Sequence, residues 1–162
     1  MNRSGLRYAG FAAVLVLSLA ATSPEGQAAE AVKTYTKQGK FEDVKADLRD
    51  AVINRGLVIE FSGDINGMLE RTGEAVGSTR QVYKGAEFII FCSAKLSRAM
   101  MEADPMNIGF CPYTMFVYEA AAKPGEIVVG YRRPSGGGSA ASDKALADVD
   151  ALLDGIAKSA IE

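Results

Sequence analysis

The chain contains no histidine and no tryptophan, and only two cysteines and five prolines among its 162 residues. Without histidine there is no Ser-His-Asp or Cys-His nucleophilic pair and no imidazole to act as acid or base near neutrality. Histidine-ligated zinc and Cys-x-x-Cys-His haem attachment are excluded for the same reason. Acid–base catalysis would fall to a carboxylate, lysine or tyrosine with a displaced pKa, and no residue stands out as catalytic. A basic run is also missing. The 18 basic and 20 acidic residues give a net charge of −2, so nucleic acid is not an expected partner.

The N-terminus has the layout of a secretory signal, with Arg3 and Arg7 ahead of an uncharged, mostly apolar stretch from Tyr8 to Ala21. Fourteen helical residues span about 21 Å, short of the roughly 30 Å hydrocarbon core. Small residues follow at Gly26-Gln-Ala28 and Ala29-Glu-Ala31, both suited to cleavage. The expectation is a signal peptide over residues 1–28, a mature protein that is periplasmic or secreted, and no stable membrane anchor after cleavage. Removal leaves 16 of the 18 basic and 19 of the 20 acidic residues, a net charge of −3. The remainder is long enough for one core without a structural metal.

Along the mature chain, Val32 to Lys37 alternates as a strand. Phe41, Val44, Leu48 and Val52 recur at helical spacing, with Glu42 and Asp43 in the first turn and Gly56 as a stop. Leu57 to Phe61 reads as a strand with Leu57, Ile59 and Phe61 on one face. Asp64 to Thr72 fits a short helix. Ala86 to Phe91 is a short apolar strand expected to be buried on both faces, and Ser93 caps a helix that Pro105 ends. Tyr113–Glu119 and Glu126–Tyr131 flank Pro124-Gly125 as a hairpin. Residues 135–141 read as a Gly/Ser linker. A helix capped by Ser142 then carries Leu146, Val149, Leu153, Ile156 and Ala160 as one stripe over 142–162, to pack on the domain (29–134) or on a partner. The element order predicts an α+β fold with a mostly antiparallel sheet and helices on one face.

Both cysteines lie at the edges of apolar runs, Cys92 after Phe88–Phe91 and Cys111 after Phe110. An even count in an exported chain favours a disulfide, provided the strands at 86–91 and 113–119 are antiparallel neighbours. Then both cysteines sit at the same end of the sheet. The open alternatives are two separately buried thiols, or a thiol redox or soft-metal pair. A Cu(I) site would draw on Cys92, Cys111 and Met100, but methionine at a helical core position is more often packing. Tyr113 and Tyr131 are further ligand candidates if they face each other across the hairpin with Arg132 or Arg133 nearby; simple cross-strand packing is the plainer reading. Asp104-Pro105 is explained by chain reversal, and Gly136-Gly-Gly138 does not follow a strand as a phosphate loop does.

Phe91-Cys-Ser-Ala-Lys-Leu-Ser-Arg-Ala-Met-Met-Glu-Ala-Asp-Pro105 and Phe110-Cys-Pro-Tyr-Thr-Met-Phe-Val-Tyr-Glu119 together resemble the central motif of the bacterial family called domain of unknown function 302, in its exported proteobacterial form. The resemblance runs from about Val32 to Pro134 and on into the C-terminal helix. It implies a β-α-β4-α arrangement like that of the TATA-binding protein, and it brings no established activity and no catalytic residue. The chain departs from the family where many members carry a cysteine just after the proline. Here Tyr113 follows Pro112 and Cys111 precedes it, and a one-residue displacement in a strand reverses the face a side chain takes. The reading is an exported binding or interaction domain for a small ligand or protein near Cys92 and Cys111, without a cofactor and possible as a homodimer. The alternative is a thiol redox or Cu(I) site on the same pair.

Overall fold

The computed structural model describes residues 31–136 and 138–162. The expected signal segment, residues 1–28, lies outside them. Ten elements follow in order: β1 (Val32–Gln38), α1 (Phe41–Ile53), β2 (Ile59–Asp64), α2 (Ile65–Thr72), β3 (Tyr83–Phe91), α3 (Ala94–Ala103), a 3-10 segment (Pro105–Phe110), β4 (Tyr113–Ala120), β5 (Glu126–Arg132) and α4 (Ala140–Ile161). The strands form one antiparallel sheet in the order β1-β5-β4-β3-β2. This is the expected α+β architecture, with a one-sided core.

Alternation sorts the strands into two faces. Ile89 and Phe91, Met115 and Val117, and Ile127, Val129 and Tyr131 all point to the helices, where they meet Val44 and Leu48 of α1 and Leu146, Val149, Leu153 and Ile156 of α4. The C-terminal stripe is therefore buried within its own domain, which removes it as an intermolecular interface. Full burial of each such side chain stabilises the fold by about 1.5–3 kcal/mol.

Three local expectations change. The helix cap is Ser139, whose hydroxyl accepts from the Ser142 amide, so α4 begins inside the expected linker. Ser142 is instead a fully buried position within the helix. β3 is not covered equally on both sides: Ile89 and Phe91 are buried under the helices, while Phe88 and Ile90 on the opposite face are only half-buried. Finally, a bulge between Ile59 and Phe61 shifts the β2 register. It turns Phe61 away from the helices, where it packs against Phe88 with ring centroids 5.9 Å apart.

Charges anchor α4 to the edge strand β1. Asp154 receives hydrogen bonds from Tyr35, Lys33 and Lys158. Burial opposes its charge, but the bonds from Lys158, Lys33 and Tyr35 outweigh that and hold its pKa below the usual carboxylate range. A depressed folded pKa means this contribution is complete above the unfolded value near 4 and is lost as pH falls through the folded one. Asp154→Asn should therefore lower Tm by roughly 2–5 °C at neutral pH. The gap between the two proteins should narrow in melts taken from pH 5 down to pH 2. A gap independent of pH would show that the carboxylate charge contributes nothing.

Candidate functional site

Pairing of β3 with β4 sets Phe91 opposite Tyr113. The residues just outside those strands must then lie at the same end of the sheet. Cys92 leaves β3, and Ser93 caps α3 by accepting from the Leu96 amide. After α3, Asp104 accepts from the Met106 amide and Pro105 opens the 3-10 segment, which returns the chain to Cys111. The Cys111–Pro112 bond is cis. Buried Asn107 braces this return by donating to the Met100 carbonyl at 2.8 Å and to the Ser142 hydroxyl at 2.6 Å.

The sulfurs of Cys92 and Cys111 stand 3.1 Å apart as two free, half-buried thiols. That is a thiol contact, about 1 Å longer than a disulfide of about 2.05 Å. The expected bond is not formed, but the juxtaposition it required is present. Burial, then the hydrogen bond with Cys111, pushes the Cys92 thiol up to about 11, so it stays protonated at neutral pH. Ser97 on α3 lies 3.7 Å from the Cys111 sulfur and 3.0 Å from the Tyr113 hydroxyl, which makes a short polar chain from α3 to the thiols. Burial also raises the Tyr113 pKa, with the Ser97 bond opposing.

The tyrosines do not face each other. Met115 stands opposite Tyr131, whereas Tyr113 is opposite Phe91 and packs edge-on against that ring. Both rings are under the helices. The Tyr131 hydroxyl donates to the Asp150 carboxylate at 3.2 Å. Burial and then the Asp150 charge raise its pKa. Tyr131 is thus a core residue with a satisfied hydroxyl, and Met100 is fully buried in the same core. Among the described residues no group of three or more Cys, Asp or Glu is arranged to hold a metal ion.

Tyr113 has a second environment. With Phe110, Pro112, Arg132, Arg133 and Val149 it helps line a cleft of about 350 Å³ at the sheet end. Gly109 and Phe110 before Cys111, and Pro112 after it, form part of the wall of this cleft. Arg133 is held by Asp150 at 3.2 Å. A larger cavity, about 550 Å³, lies between α2 and the loop before β3, lined by Leu69, Arg80 and Val82, none of which belongs to the thiol site. Sequence reasoning missed Asn107 and Ser97, because polar residues within short helical turns carry no periodic signal of burial.

The sequence model for the domain of unknown function DUF302 matches residues 32–160. The chain belongs to this family. The DUF302 match takes in α4 as well as the sheet, in keeping with the helix as part of the core. Among solved structures, a crystal structure of an uncharacterized conserved DUF302 protein from Bacillus stearothermophilus aligns with a TM-score of 0.67 at 13% identity, over 82% of this chain and 99% of that one. At that identity the likeness establishes the fold. No curated protein matches the chain.

Proposed function

We propose that this DUF302 domain is an exported, non-catalytic binding module in which Cys92 and Cys111 form a thiol–disulfide pair that staples the wall of the ligand cleft. The 3.1 Å contact between the sulfurs carries the reading. Closure by about 1 Å would complete a bond. Burial raises the Cys92 thiol, so Cys92 is not held as an activated thiolate. The pair instead receives oxidation. One cysteine, as thiolate, attacks a low-molecular-weight disulfide and expels one of its thiols. The other cysteine then loses its proton and displaces the second thiol from the mixed disulfide. Two protons and two electrons leave the protein, and the oxidant departs as two thiols.

Oxidation of the purified protein with glutathione disulfide should lower its intact mass by about 2 Da, the two hydrogens lost in the exchange. The bond would enclose 18 residues, worth about 3 kcal/mol in the chain-entropy model, so Tm should rise by roughly 10 °C over the reduced form. Cys92→Ser should remove as much as loss of both cysteines. The rate of closure should climb with pH between 7 and 9, as thiolate becomes available. Stable glutathione adducts on both cysteines, with no bond between them, would refute the pair.

A further inference from the structure

The face of the sheet opposite the helices was not foreseen as a surface of interest. It carries a row of aromatic rings: Phe61 on Phe88, Phe116 alongside Tyr118 at 6.1 Å, and Tyr83 on Tyr118 at 5.3 Å. Two glycines let the rings lie down. A Cβ at Gly63 would meet the Phe88 ring at 2.1 Å, and one at Gly130 would meet Phe116 at 2.5 Å. Toward the β1 edge the face continues with exposed Val32, Thr34 and Thr36, and Phe61 at the other edge is 56% exposed. The result is a flat, neutral, largely apolar centre. On β5, alternation puts only two charged residues on this side, Glu126 at one end and Arg132 at the other. Glu126 also meets the exposed Lys123 at 2.8 Å, whereas Arg132 makes no ion pair with another described residue.

We propose that this open face is a homodimer interface, in which two copies stack sheet on sheet about a two-fold axis lying between the sheets and perpendicular to the strands. That operator lays each strand over an antiparallel copy of itself. With the axis level with Val117 and Val129, Phe116 on the central strand comes over Tyr118 of the second copy. Arg132 comes over Glu126 of the second copy, and Glu126 over Arg132, so both charged ends are matched by one rotation. Self-complementarity of this kind is what an isologous contact requires, and aligned stacking of twisted sheets about 10 Å apart is a common packing. The extent is adequate. Five strands at about 4.8 Å spacing and seven residues at about 3.3 Å present roughly 550 Å² before side-chain relief, which the projecting rings bring toward the about 800 Å² per partner of a stable interface. This interface shares no residue with the thiol pair and stands independently of it.

Light scattering coupled to size exclusion, run on the purified reduced protein over a wide concentration range, should give twice the chain mass. Phe116→Glu should give a monomer with unchanged circular dichroism, because that side chain lies outside the core. Arg132→Glu alone should weaken dimerisation at least tenfold, and Glu126→Arg combined with Arg132→Glu should restore it. The charge swap decides the matter even if Phe116→Glu fails to fold. A wild-type monomer at every concentration overturns the proposal, and so does a dimer indifferent to both substitutions. A monomer whose open face instead binds an apolar dye, and loses the dye with Phe116→Glu, would assign the face to a small apolar ligand and overturn it equally.

Discussion

Leu153→Asp should leave almost no soluble folded protein. Leu153 is 2% exposed at the centre of the α4 stripe, between Val149 and Ile156, which are fully buried. A carboxylate there would lose its water, and the leucine's packing would vanish as well. The combined cost is about 4 kcal/mol or more, set against a total stability of about 5–15 kcal/mol for a domain. Expression with sedimentation of the lysate, followed by thermal melting of any soluble fraction, checks this. A protein that melts as the wild type does would mean that α4 is not docked on the sheet.

Asn107→Leu should destabilise the domain by about 2–3 kcal/mol and should also slow closure of the Cys92–Cys111 bond. The two effects have one source. The Asn107 amide ties the 3-10 segment to the end of α3 through the Met100 carbonyl, and to α4 through the Ser142 hydroxyl. A leucine of similar size leaves both groups buried with a partner lost. The segment that carries Cys111 then loses its side-chain ties to α3 and α4, so the sulfurs meet less often. Urea unfolding gives the first effect, and the rate of disappearance of free thiols under glutathione disulfide gives the second. A loss of stability with no change in closure rate would show that Asn107 supports the core without positioning Cys111.

The strand and helix pattern was legible because each element buries one side. Alternation in β1, β4 and β5 and the 3-4 spacing in α1 and α4 follow directly from a one-sided core. The end-on meeting of Cys92 and Cys111 was legible too, since a short helix closed by Pro105 can reverse the chain between antiparallel neighbours. What escaped depends on register. The bulge at Glu60 puts Phe61 on the face opposite to that of Ile59, and no residue there advertises it. The diagonal offset of Tyr113 from Tyr131 is set by how the β4–β5 turn closes. The aromatic row was invisible for a related reason: its members come from β2, β3 and β4, and only the sheet order makes them neighbours.

That sheet order also fixes a sequence of events in time. Every strand but the first pairs with a strand next to it along the chain, so β2 through β5 can zip together through nearby segments. Among the described strands β1 has its only neighbour in β5, with Val32 facing Arg132 across a hundred residues of chain. Contacts this distant are late and slow to form. A chain that emerges from its N-terminus must keep β1 unpaired until Arg132 has appeared. The α4 anchor on Lys33 and Tyr35 cannot close before Asp154 has followed. During that interval the apolar flank of β5 is an unguarded edge. The first strand made is the last to be seated, and that late closure is where a nascent chain would be most open to a chaperone or to aggregation.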